Sequence, residues 1–285
     1  MFGVHRFVKM LAVVLTAALC AAVAVFAGQT ETTSGDGVEY KVPILMYHSV
    51  CKNSRVHSDY LISPEKFEED IKYLKRNGYT AVLTSDIVNC VKNGTPLPDK
   101  SVMITLDDGF YNNLSIVLPV LKKYGFKAVV NVVGSYCEHF SELGDKNPAY
   151  AYLAWEDITA LAVSGYVEIG SHTYDMHALG TRRGCKIRKG ENPDSYKKLF
   201  RDDILTLQNA LSEKCGVLPT VFAYPFGECC DEAEEVLKEL NFTAAFNCRE
   251  KVNNIGKNTS LFQLCRINRP GHMSTAEFMK KWDIS

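Results

Sequence analysis

From residue 41 to the C-terminus, short apolar runs alternate with amphipathic stretches, and this alternation restricts the fold more than any other feature of the chain. The runs "KVPILMYH" (41–48), "YTAVL" (79–83), "SVMITLDDG" (101–109), "FKAVVNVVG" (126–134), "YVEIGSH" (166–172), "TVFAYPFG" (220–227), "FTAAFNC" (242–248) and "SLFQLCRI" (260–267) read as strands. The stretches 63–78, 85–94, 113–124, 155–165, 194–214, 231–241 and 274–282 read as helices. The first helix is punctuated at both ends, by Ser63 as cap with Pro64 in the first turn and by Gly78 as stop. Pro119 predicts a kink or a late start in the helix that contains it. Strands separated by helices pair in parallel through right-handed crossovers. Seven or eight parallel strands of this kind suit an α/β fold closed into a distorted (β/α) barrel better than an open sheet. In such barrels the chemistry collects at the carboxyl ends of the strands, which gives a location rule for every candidate residue.

The N-terminus stands apart from this pattern. His5, Arg6 and Lys9 precede the apolar run 10–27, and no acidic residue appears before Glu31. This predicts a secretory signal with cleavage after Ala27, or an N-terminal membrane anchor, and hence a secreted or membrane-tethered protein. Residues 28–40 are polar, rich in Gly, Ser and Thr, and read as a linker. The domain then runs from 41 to 285, enough chain for one sizeable core. A net charge of −1 gives no sign of a nucleic-acid partner. Nine of the ten cysteines follow the leader without regular spacing, and adjacent Cys229 and Cys230 do not form a zinc pair. Most read as small buried apolar residues, and one or two disulfides are possible outside the cell.

Two clusters satisfy the location rule. In "ITLDDG", Asp107 and Asp108 close a strand before Gly109 turns the chain. Adjacent carboxylates repel, which favours either a bound cation or one protonated group, although Asp-Gly is also ordinary turn chemistry. In "IGSHTYDMH", His172 follows directly on a strand and His177 lies five residues later. Neither a straight helix nor a straight strand brings both rings to one point. The stretch is therefore a polar loop or a loop that wraps a metal. One aspartate and two histidines at strand ends form a three-ligand set that leaves a position open for water.

Together these motifs resemble the polysaccharide deacetylases with a NodB homology domain, the family 4 carbohydrate esterases. "TLDDG" stands for the family's first motif and "HTYDMH" for its second. The five-residue histidine spacing, with "PILMYHSV" upstream, is most similar to the poly-β-1,6-N-acetylglucosamine deacetylase branch. The resemblance implies hydrolytic removal of N-acetyl groups from an N-acetylglucosamine polymer, peptidoglycan or exopolysaccharide. It implies Asp107 as general base and Asp108, His172 and His177 as ligands of one divalent metal, zinc first, with cobalt, nickel or manganese also accepted by such a set. The third motif corresponds to "AYPFG". From it, Tyr224, Pro225 and Phe226 are expected at the substrate, with the Phe226 N–H or a neighbour for the oxyanion.

The chain also departs from the family pattern. Ala223 stands where the family has an arginine that pairs with the base, and Arg266 in "LCRINRP" is the candidate to orient Asp107 instead. No Leu-x-His follows residue 247, so His272 in "NRPGHMS" is the candidate acid; the fourth motif's Asp-Trp pair is missing too. His48, at the end of the first strand, is expected to face the mouth and to bind substrate or support the site. The other readings are an O-acetyl esterase on xylan-like sugars and a carbohydrate-binding pseudoenzyme that kept the groove. A glycosidase fits less well, because two consecutive aspartates do not straddle a sugar bond.

Overall fold

A computed structural model describes residues 37–52 and 58–285. The leader expected over 1–27, and the linker up to residue 36, lie outside the described residues. Among the described residues no helix is long and apolar enough to cross a membrane.

The strands are β1 (Ile44–Tyr47), β2 (Thr80–Ala81), β3 (Ser101–Leu106), β4 (Ala128–Val132), β5 (Val167–Ser171), β6 (Val221–Ala223), β7 (Ala244–Phe246) and β8 (Ile267–Asn268). They are parallel in the order β7-β6-β5-β4-β3-β1-β8, with β2 pairing the start of β3. Residues 261–268 bridge the two edges. Leu264 pairs with Phe246 of β7, and β8 pairs with Leu45 and Met46 of β1. The result is a distorted barrel, as the alternation of elements predicts. The expected strand 260–267 survives only as this bridge.

Local chemistry explains the other differences. Pro43 has no N–H to donate, so the expected strand 41–48 breaks there. Residues Tyr40–Val42 leave the barrel and pair antiparallel with Asn253–Ile255. The helices are α1 (Pro64–Arg76), α2 (Thr84–Asn93), α3 (Leu118–Tyr124), α4 (Gly134–Leu143), α5 (Trp155–Ala162), α6 (Pro193–Cys215), α7 (Asp231–Glu239) and α8 (Thr275–Lys281). Helix α4 was not expected from the sequence. Ser63 caps α1 by accepting the Lys66 N–H at 3.3 Å. Before Pro119 the chain forms a π-turn over Asn113–Val117, so the regular helix starts late.

Strand alternation sorts side chains into two layers. Leu45, Tyr47, Ile104, Leu106, Val130, Val132 and Ile169 face the helices in one large apolar cluster. Ile44, Met103, Val129, Val221, Ala223, Ala244 and Phe246 pack with Ile87 and Cys90 of α2 in a second. Continued up the strands, this second set of rows arrives at His48, Asp107, Asn131 and His172. A separate buried pair, Arg269 with Asp70 at 2.8 Å, ties β8 to α1, and Thr275 of α8 donates to the same carboxylate. All nine cysteines of the described residues are free thiols, and Cys51, Cys90, Cys137 and Cys185 are buried. No disulfide is formed among the described residues.

Candidate metal and catalytic site

Asp108, His172 and His177 converge at the carboxyl end of the barrel. One ligand atom from each lies within 4.8 Å of the others. Nε2 of His177 and of His172 stand 3.3 and 3.7 Å from Asp108 Oδ1. The backbone is bent to achieve this. Asp108 has φ 72° and Thr173 φ 74°, a left-handed conformation that L-residues with a Cβ seldom adopt. The turn at Thr173 is what allows a five-residue spacing to return the second ring to the first. The loop between the rings is held on both sides. Asp203 of α6 accepts the Tyr174 and Asp175 N–H groups at 2.8 Å each. Gly134 and Ser135, at the start of α4, donate to the Thr173 and Tyr174 carbonyls.

Electrostatics and hydrogen bonding fit a divalent cation. His172 Nδ1 lies 2.7 Å from the Ala223 carbonyl. That contact requires the proton on Nδ1 and leaves the Nε2 lone pair facing Asp108. Asp108 Oδ1 is buried and has no hydrogen-bond partner among the described residues. Burial, and then the neighbouring Asp107 charge, push the Asp108 carboxyl up to about 7. Burial lowers both histidines to about 4, so they are neutral ligands at neutral pH. A buried carboxylate oxygen without a donor among the described residues, beside two neutral imidazole nitrogens, is the donor set a divalent cation takes in place of a proton.

Asp107 is held differently. Arg266 grips both its oxygens, Nη1 to Oδ1 and Nη2 to Oδ2, at 2.7 Å each. Arg266 is 0% exposed. Burial alone would raise the Asp107 carboxyl, but the Arg266 guanidinium more than reverses this and holds it well below the usual carboxylate range. Thus Arg266 lies where the sequence suggested, although it leads into β8 instead of ending a longer strand. Asn131 Nδ2 also donates to Asp107 Oδ1, at 2.8 Å. Sequence reasoning missed it; the available signal was a single amide inside the apolar run "AVVNVV".

A cavity of about 690 Å³ opens over these groups, lined among others by His48, Tyr60, Asp107, Asp108, Phe110, His172, His177, Leu179, Arg183, Phe226 and Cys248. His48 is there as expected. Its Nδ1 is buried without a partner among the described residues, its ring stands edge-on to Tyr60, and burial lowers its pKa to about 4. Phe226 is there too, turned in by its φ of 57°. Gly227 and Glu228 N–H groups are engaged by the Tyr224 and Pro225 carbonyls, leaving the Phe226 N–H as the donor in this turn without an acceptor among the described residues.

Three expected residues are not brought to the site. Tyr224 is fully buried with Phe222, Tyr196 and Phe200 in the helix layer outside the barrel. Residues 222 and 224 share one face of the strand, and Ala223 takes the inner one. Pro225 is buried in the turn and does not line the cavity. His272 is exposed, with Nδ1 3.2 Å from Asp59 Oδ1. The loop after Pro270 carries it away from the cavity lining.

Comparison with known proteins follows this geometry. The family model described as "Polysaccharide deacetylase" matches residues 94–245. Poly-beta-1,6-N-acetyl-D-glucosamine N-deacetylase of Escherichia coli (strain K12) is 28% identical over 221 residues, covering 71% of this chain and 33% of that protein. The protein of the same name from Staphylococcus aureus (strain MRSA252) is 25% identical over 234 residues, 81% of this chain and 75% of its own length. The chain therefore spans about a third of the E. coli relative. The solved structure of IcaB from Ammonifex degensii superposes with a TM-score of 0.67 at 28% identity, over 80% of this chain and 91% of that one.

Proposed function

Because this chain belongs to the polysaccharide deacetylase family, we propose that it hydrolyses N-acetyl groups from an N-acetylglucosamine polymer, with a poly-β-1,6-linked chain as substrate and a divalent metal as cofactor. The observation that carries this reading is the pairing of two adjacent aspartates with opposite environments. Asp108 faces two imidazole nitrogens without a donor, and Asp107 is locked anionic by Arg266. Two titratable neighbours pushed apart in this way take two different roles.

Asp108, His172 and His177 would hold a divalent metal, which when bound would supply an acidified water and a Lewis acid for the acetyl carbonyl. Asp107 accepts the proton of the attacking water. The free N–H of Phe226 is available to the developing oxyanion. His48, neutral at rest, lines the same cavity as Asp107, and its Nδ1 has no partner among the described residues. In this reading it takes up the proton released from the water and passes it to the departing amine, the role the sequence gave to His272. The rings of Tyr60, Phe110 and Phe226 offer flat apolar faces to the sugar. Arg266 pairs with Asp107 where Ala223 cannot, which weighs against a pseudoenzyme. The apolar run at 10–27 supports an extracytoplasmic location, secreted or tethered.

The names of the relatives favour the β-1,6-linked polymer over peptidoglycan. Free amine formed on poly-β-1,6-N-acetylglucosamine oligomers, on peptidoglycan strands and on acetylated xylan, compared with acetate release, tests the substrate. The oligomers are expected to gain amine fastest. Acetate from xylan without amine from the oligomers would instead identify an O-acetyl esterase.

A further inference from the structure

Asn131 sits fully buried in the interior of β4, among valines. Its Nδ2 donates to Asp107, yet its own Oδ1 has no hydrogen-bond partner among the described residues. An unmet buried acceptor is a standing cost that valine would avoid. The opposite residue in the parallel register is Gly170 of β5. A Cβ on Gly170 would come within 2.1 Å of Asn131 Oδ1. Gly170 is not among the glycines with positive φ, so its backbone does not call for glycine; the amide does. Two neighbouring strands are thus both altered for one hydrogen bond, and that bond ends on Asp107.

The two Asp107 oxygens are not equivalent. Among the described residues, Oδ1 receives Arg266 Nη1 at 2.7 Å and Asn131 Nδ2 at 2.8 Å, whereas Oδ2 receives only Arg266 Nη2. A carboxylate oxygen offers two in-plane acceptor sites. Oδ1 is filled and Oδ2 keeps one site open. With Arg266 alone, each oxygen would keep one.

We infer that Asn131, in the space left by Gly170, is a positioning residue that saturates Oδ1 of Asp107 and thereby assigns Oδ2 as the atom that takes the proton from the attacking water. Asn131 does not line the cavity, so it acts through Asp107 and not on the sugar. The inference rests on Asp107 being the base.

Asn131→Leu keeps the shape of the side chain and removes the donor. The expected result is a protein at least as stable to urea as the parent, with unchanged metal affinity and KM. Its kcat falls roughly ten- to a hundredfold, the usual scale for a partner that orients an active-site group. Gly170→Ala, which crowds the amide, lowers kcat in the parent but has no further effect in Asn131→Ala, where the room exists. A parental kcat in Asn131→Leu, a KM rise in place of the kcat loss, or Gly170 and Asn131 losses that multiply would overturn the inference. A readout independent of turnover is the crystal structure of Asn131→Leu. The Asp107 carboxylate is expected to turn on the Arg266 fork, and an unmoved carboxylate overturns the positioning role. If the parent releases no acetate from any glycan, the deacetylase reading fails, and the crystal structure alone decides the placement of Oδ1.

Discussion

Arg266→Met is expected to lower stability by about 3–5 kcal/mol at neutral pH, the cost of leaving a buried charge without its partner. Methionine loses the guanidinium carbon that stands 5.5 Å from the Phe246 ring centroid but still fills most of the buried volume, so little of the loss comes from packing. The sign of the pH dependence separates this from a general loosening. In the parent, Arg266 holds the Asp107 carboxyl below its unfolded value. The stabilisation is therefore present above about pH 4, the range of an unfolded aspartate, and is lost only as pH falls through the depressed folded value. Without the guanidinium, burial dominates, and the folded carboxyl titrates above its unfolded value. The variant then loses stability as pH rises from about 4. Urea midpoints at pH 4.5 and 7.5 should show a deficit that is larger at the higher pH. Adding Asp107→Asn to Arg266→Met should recover part of it, because the orphaned charge is gone. Equal deficits at the two pH values would show that the pair is not the source.

The second large effect is on metal affinity. Asp108 titrates at about 7 and the two histidines at about 4 in the metal-free site. A cation must displace whatever proton the ligands hold. Between pH 7 and 5 that is one proton, on Asp108, so affinity should fall about tenfold per pH unit, roughly a hundredfold over the interval. Above pH 7 the dependence should flatten, and below about pH 4 it should steepen as the histidines join. For the metal-free protein the sign is opposite. A carboxyl raised above its unfolded value stabilises below about pH 4 and loses that contribution as pH rises through 7. Added metal should therefore raise the unfolding midpoint more at pH 8 than at pH 5. Competition titration with a chromophoric chelator across this range reads the slope directly. A flat profile would remove Asp108 from the ligand set.

The parts of this site that were legible in the sequence are those that depend on position along a strand. Asp107, His172 and His48 end inward-facing rows and Asp108 follows in the turn at φ 72°, so the strand-end rule found them. Tyr224 shows the same logic misapplied: alternation from Ala223 already placed it outside, with Phe222, and only the turn at Phe226 brings a ring inward. Arg266 was legible only as a candidate. Its partner lies 159 residues away in the chain, and nothing local specifies which strand closes the barrel. Helix α4 escaped because "GSYCEHFSEL" follows directly on a strand and has no strong cap. Asn131 and Gly170 were each visible as oddities in apolar strands, but their meaning lies in the register that sets them side by side.

The central claim is that Asp107 and a metal held by Asp108, His172 and His177 together hydrolyse the N-acetyl group. Acetate release from poly-β-1,6-N-acetylglucosamine oligomers tests it most directly, with added divalent metal, after chelation, and with Asp107→Asn. Release that chelation abolishes and metal restores is expected, with a loss of roughly 10²–10⁴-fold in the variant, the scale of a general base. Release that survives chelation, or that Asp107→Asn leaves intact, would contradict it.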